Sequence, residues 1–175
     1  ENVILVGCPP LAEHYVSMIE ERRYQRFTLE EKEQFQTLLK KLGDPADENK
    51  DEALHCLGSL VEKADNYCLN PELICEGKTD GSMYDAIWQE ASQWRQEGKW
   101  EKIFTKINCP IYLIQGRYDP HPIEGVSEPL ERLEKIKKVY EMPKSGHSPF
   151  SELYDSPSFC ELVIRLSEPL HKNDK

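Results

Sequence analysis

The chain has 175 residues, enough for one domain with a real core or for parts of two. Its 31% charged residues are balanced by 38% hydrophobic ones, which argues against a disordered chain, and the net charge of −10 argues against nucleic acid or an anionic membrane surface as the main partner. No stretch approaches the ~20 apolar residues of a membrane span. The pattern of a signal peptide is not met, because Glu1 is acidic and the first apolar run covers only four residues.

That run, Val3–Val6, reads as a short strand covered on both faces, ending in Gly7-Cys8-Pro9-Pro10. A helical stretch follows from Leu11 to Phe27, with Tyr15, Met18, Ile19 and Arg22 at helical spacing. Thr28-Leu29-Glu30-Glu31 forms a capping box, and Phe35, Leu38, Leu39 and Leu42 make the apolar stripe behind it. Gly43 is expected to supply a left-handed stop before Asp44-Pro45. Ala53, Leu57, Leu60, Val61 and Ala64 mark another helix. Asn70-Pro71 and Asp80-Gly81 punctuate a loop, after which Ser82 can cap a helix carrying Met83, Ile87, Trp88, Ala91 and Trp94 and ending at Gly98. Trp88 and Trp94 are expected to pack inside the helical layer, with lining of a substrate entrance as the alternative.

The pattern changes at Cys109-Pro110. Ile111–Ile114 is a second apolar strand, followed by Gln115-Gly116-Arg117-Tyr118-Asp119-Pro120-His121-Pro122. A helix is expected over Glu128–Ile136, with an exposed face of mixed charge, and a third strand over Val139–Met142. Pro143-Lys144-Ser145-Gly146-His147-Ser148-Pro149-Phe150 comes next, and Ser156-Pro157 opens a final helix. Strands alternating with helices imply a parallel sheet, so the fold class is α/β with about three parallel strands. The helical block over 11–105 interrupts that alternation as an insertion, leaving 1–10 and 106–175 to build the sheet.

Two loops after strands each carry a titratable residue. Asp119 lies five residues past Ile114, and His147 five past Met142. Loops at the carboxyl ends of parallel strands share one edge, and neighbouring strands are only about 4.8 Å apart, so the two can meet. A carboxylate that accepts the imidazole Nδ1–H fixes the tautomer and leaves Nε2 as a base. His121, two residues from Asp119, also allows Asp119, His121 and His147 to be drawn as metal ligands. The six cysteines show no CxxC and no zinc-ligand spacing, and read as free buried thiols of a reducing cytoplasm, with a Cys68–Cys75 bridge as the alternative. His14, His55 and His171 read as surface groups, and Glu20, Glu21 and Glu90 as a solvated face.

The segments over 109–122 and 145–150 together resemble the acid loop and histidine loop of α/β-hydrolases. The helical block is similar to the cap of their prolyl-aminopeptidase-like members, a likeness strengthened by MYDAIWQEASQWRQEGKW (83–100) and GVSEPLERL (125–133). The resemblance implies the carboxyl-terminal part of such a fold: a partial core over 1–10 and 106–175, a cap over 11–105, Asp119 as triad acid and His147 as triad base. It implies a serine hydrolase acting on an ester or peptide substrate, with no cofactor or metal. The family's G-x-S-x-G nucleophile elbow does not occur in this sequence, so the chain is expected to be inactive alone and to be part of a longer parent. Cys8 does not replace the serine. Val6 and Pro10 stand where an elbow needs small residues, and Pro9 removes the amide that would serve as an oxyanion donor. A non-catalytic module is the second expectation, binding a partner or a second copy through the exposed edge of the first strand.

Overall fold

The computed structural model describes residues 1–73 and 80–168; Cys75, His171 and the Cys68–Cys75 pairing lie outside the described residues. Three strands, β1 (Val3–Val6), β2 (Ile111–Gly116) and β3 (Ile136–Met142), form a parallel sheet in that order. Val3 pairs with Ile111 and Val6 with Ile114, while Leu113 pairs with Val139 and Gly116 with Met142. Every residue of β2 is buried, as expected for a central strand that gives both edges to neighbours and both faces to helices. On one face Tyr112 and Ile114 meet Phe159, Leu162 and Leu166 of α7 (Ser156–Ser167). On the other, Ile111 and Leu113 meet Val126 and Leu130 of α6 (Glu124–Arg132), with Phe104. The chain is thus a mixed α/β protein.

Between β1 and β2 run α1 (Val16–Arg26), α2 (Leu29–Gly43), α3 (Lys50–Asp65), α4 (Gly81–Gln96) and α5 (Lys99–Phe104). The Thr28 hydroxyl accepts from the Glu31 amide and the Glu31 carboxylate accepts from the Thr28 amide, so the capping box forms. Phe27, Phe35, Leu38, Leu42, Ala53, Leu57, Leu60 and Ala64 close a core of their own, each large side chain contributing about 1.5–3 kcal/mol by leaving water.

Several local expectations are corrected. Helix α2 ends at Gly43 without a left-handed residue: among the described glycines only Gly7 and Gly98 have positive φ. Pro45 disfavours a helical Asp44, which is extended at φ −85°, ψ 113°, and that suffices to stop the helix. Asp80, not Ser82, caps α4 by accepting from the Met83 amide. The stripe of α4 is largely open, with Met83 and Ile87 more than half exposed. The described cysteines are free thiols but are less buried than expected: Cys160 is exposed, and Cys8, Cys56, Cys68 and Cys109 are half-buried. The helix expected over Glu128–Ile136 is α6, four residues earlier at both ends. It stops because Glu134 turns at φ 54°, and Ile136 already belongs to β3. Pro129 lies inside α6 and has no amide to give the Gly125 carbonyl. The Leu11 amide takes that carbonyl instead, at 2.9 Å, fastening the exit from β1 to α6.

The two sheet edges differ. Exposed Lys137, Lys138 and Glu141 guard β3. In β1 the Val3 amide, and just past it the Gly7 amide, face β2, so by alternation those of Ile4 and Val6 face away, on an edge with no charged residue. No helix among the described residues is long and apolar enough to cross a membrane.

Candidate active site

The loops after β2 and β3 are fastened to each other before either meets a helix. The Arg117 amide donates to the Met142 carbonyl and the Tyr118 amide to the Ser145 carbonyl, both at 2.9 Å. A Cβ on Gly116 would lie 2.3 Å from the Ser145 carbonyl oxygen, so the glycine is what allows the loops to close. This brings Asp119 and His147 together, as the spacing along the sequence predicts. His147 Nδ1 lies 3.1 Å from Asp119 Oδ2.

Asp119 has a second partner. Its Oδ1 accepts from the His121 backbone amide at 2.9 Å and lies 2.7 Å from His121 Nδ1. The amide contact is the turn that an aspartate makes two residues ahead of itself, and it lays the imidazole alongside the carboxylate. The rings of His121 and His147 then lie face to face, centroids 4.5 Å apart and 30° from parallel. Burial of Asp119 would push its carboxyl up, but the hydrogen bonds and charge of the two histidines outweigh this and hold it down to about 2. Burial would likewise push His147 down, but its bond to Asp119 and that carboxylate's charge leave it raised above the usual histidine value. An ionised carboxylate only accepts, so both Nδ1 atoms are donors and both Nε2 atoms remain for other partners.

His121 and His147 line a cavity of about 600 Å³ under the helical layer. Ile19, Leu39, Leu57, Tyr84 and Trp88 give it an apolar wall, so Trp88 faces a cavity and is not packed inside the helical layer. Glu20, Arg23, Asp65 and Arg95 add charge. Arg23 grips Asp65 with two bonds, Nε to Oδ1 at 2.7 Å and Nη2 to Oδ2 at 2.5 Å. The end of α3 is in turn tied to the histidine loop. The His147 amide donates to the Asp65 carbonyl and the Ser148 amide to Asn66 Oδ1, both at 2.9 Å. The fully buried Glu152 carboxylate accepts from the amides of Tyr67, Cys68 and Gly146.

The Cys8 thiol is pushed up to about 11 by burial, which favours the protonated thiol over the thiolate at neutral pH. His14 and His55 are exposed, as expected. Asp119, His121 and His147 each offer a ligand atom within 4.8 Å of the others. The carboxylate already accepts three N–H groups, however, and a cation held through Nδ1 would displace two of them. As arranged, the group is an acid flanked by two imidazoles. The sequence alone does not indicate Arg23, Asp65 or Glu152: Arg23 and Asp65 lie 42 residues apart, and Glu152 reaches back 85 and 84 residues to the amides of Tyr67 and Cys68; His121 was signalled by the Asp-x-His spacing. No protein-family model matches the chain, and no curated protein matches it.

Proposed function

We propose that the chain carries the acid–base half of a serine hydrolase of the α/β-hydrolase type, with α1–α5 as the cap over its substrate. The observation that carries this reading is the Asp119–His147 hydrogen bond beside a largely apolar cavity. Asp119 orients the ring and stabilises its cation. His147 Nε2 takes the proton of a serine hydroxyl, contributed by a segment outside these 175 residues, as that oxygen attacks an ester or peptide carbonyl. The imidazolium then gives the proton to the leaving alcohol or amine, and a water molecule repeats the sequence to release the acid. The apolar wall fits an apolar acyl or side-chain group. No step needs a metal or an organic cofactor.

The test is labelling with a fluorophosphonate. The 175-residue chain stays unlabelled, while a longer product of the same reading frame, carrying a G-x-S-x-G segment upstream of Glu1, is labelled. His147→Ala in that product lowers turnover by about a thousandfold or more. An upstream frame without such a serine, or undiminished turnover, defeats the reading. A second reading, a non-catalytic module that pairs through β1, is favoured by the uncharged outer edge of that strand. It calls for a dimer in sedimentation and no labelling of any longer product.

A further inference from the structure

We propose that His121 is a positioning residue of the acid–base pair: it shares the Asp119 carboxylate with His147 and so keeps His147 neutral, and able to accept a proton, at a lower pH than an unshared carboxylate would. The inference rests on the reading of His147 as a base, but its test does not require turnover.

The geometry divides the carboxylate unequally. Oδ1 takes both the backbone amide and Nδ1 of His121, at 2.9 and 2.7 Å, whereas Oδ2 holds His147 at 3.1 Å. The shorter imidazole contact therefore belongs to His121. Its placement is built rather than incidental. His121 is 6% exposed, and Gln115 Nε2, itself 1% exposed at the end of β2, donates to the His121 carbonyl at 2.5 Å. A carboxylate that spends its charge on one imidazole attracts a proton onto the other less strongly. A cation formed on either ring would also repel one on its neighbour, 4.5 Å away. Both effects act in the same direction on His147.

The other charged or titratable groups that face His147 are the Asp65 carboxylate with its counter-ion Arg23, from α3 and α1, Glu20, Tyr84 and Arg95, which line the same cavity, and Glu152, bonded to the adjacent Gly146 amide, while the Cys8 thiol acts on Asp119. None of these is altered by a change at position 121.

The experiment is a titration of the ¹⁵N-labelled chain, following the imidazole nitrogens by NMR. In the unmodified chain both rings are expected as Nδ1–H tautomers at neutral pH. His121→Phe moves the His147 midpoint up by about one pH unit. His121→Asn keeps a donor near the Nδ1 position and recovers at least about half of that rise. The proposal is overturned by an Nε2–H tautomer of His121 in the unmodified chain, by an unchanged or lower midpoint in His121→Phe, or by an equal rise in both variants. The tautomer measurement decides the matter even if His121→Phe does not fold. Failure of the hydrolase reading would appear in the labelling experiment and leave these midpoints unaffected.

Discussion

The backbone amide of His147 donates to the carbonyl of Asp65 at 2.9 Å, and the side chain of Asp65 is gripped by Arg23. One residue at the end of α3 therefore sets the height of the histidine loop with its backbone and anchors α1 with its carboxylate. The position of His147 depends on the helical layer as well as on the sheet.

Arg23→Met leaves the Asp65 carboxylate buried without its counter-ion. Stability to urea is expected to fall by about 3–5 kcal/mol, because the lost partner leaves an uncompensated charge. Adding Asp65→Asn should recover much of the loss. An unchanged denaturation midpoint for Arg23→Met would show that the pair is solvated.

Glu152→Gln replaces an acceptor of three amides by a group with one acceptor oxygen. A loss of about 2–4 kcal/mol is expected. Hydrogen exchange should quicken at Tyr67, Cys68 and Gly146 before it does in β2. Uniform acceleration across the sheet would count against a local role.

Gly146→Ala places a Cβ 2.0 Å from the Asp65 carbonyl oxygen, a backbone atom that cannot swing aside. The variant should lose at least about 2 kcal/mol and the protection of the His147 amide. Gly43→Ala, where a Cβ meets nothing within 4 Å, should instead be neutral or stabilising.

Asp119, held to about 2 against its ordinary 3.8, contributes stability that is complete above about pH 4 and lost as the pH falls toward 2. His147, raised above its ordinary 6.5, contributes stability that is complete below that value and lost as the pH rises through its raised midpoint. Both contributions are full from about pH 4 to 6.5. Asp119→Asn should lower the thermal midpoint most within that window and flatten both limbs. An equal loss at every pH would assign Asp119 a purely packing role.

What the sequence made legible was local. The Thr28 capping box needs four consecutive residues, and β1, β2 and Pro157 at the start of α7 are each announced by their immediate neighbours. The meeting of Asp119 with His147 was legible because parallel strands deliver their loops to a common edge. The end of α6 was not, since Leu133-Glu134-Lys135-Ile136-Lys137-Lys138 suits a helix by composition and only the positive φ of Glu134 breaks it. The open face of α4 escaped the periodicity argument because spacing identifies a stripe without saying what covers it. The grip of Arg23 on Asp65 is a contact between distant helices that no local pattern encodes.

The buried cluster of α2 and α3 with Phe27 includes no side chain of the sheet, and the two sheet clusters include none from α1–α4. The residues joining the end of α3 to the histidine loop do so through amides, carbonyls, one carboxylamide and one carboxylate, beside the Tyr67 ring, which meets Tyr118 and Tyr154 edge-on. This junction is a seam and not a weld: it is held by polar bonds, while the oily interiors lie on either side of it. Parting the layer over His147 from the sheet would therefore break this seam and leave both interiors closed.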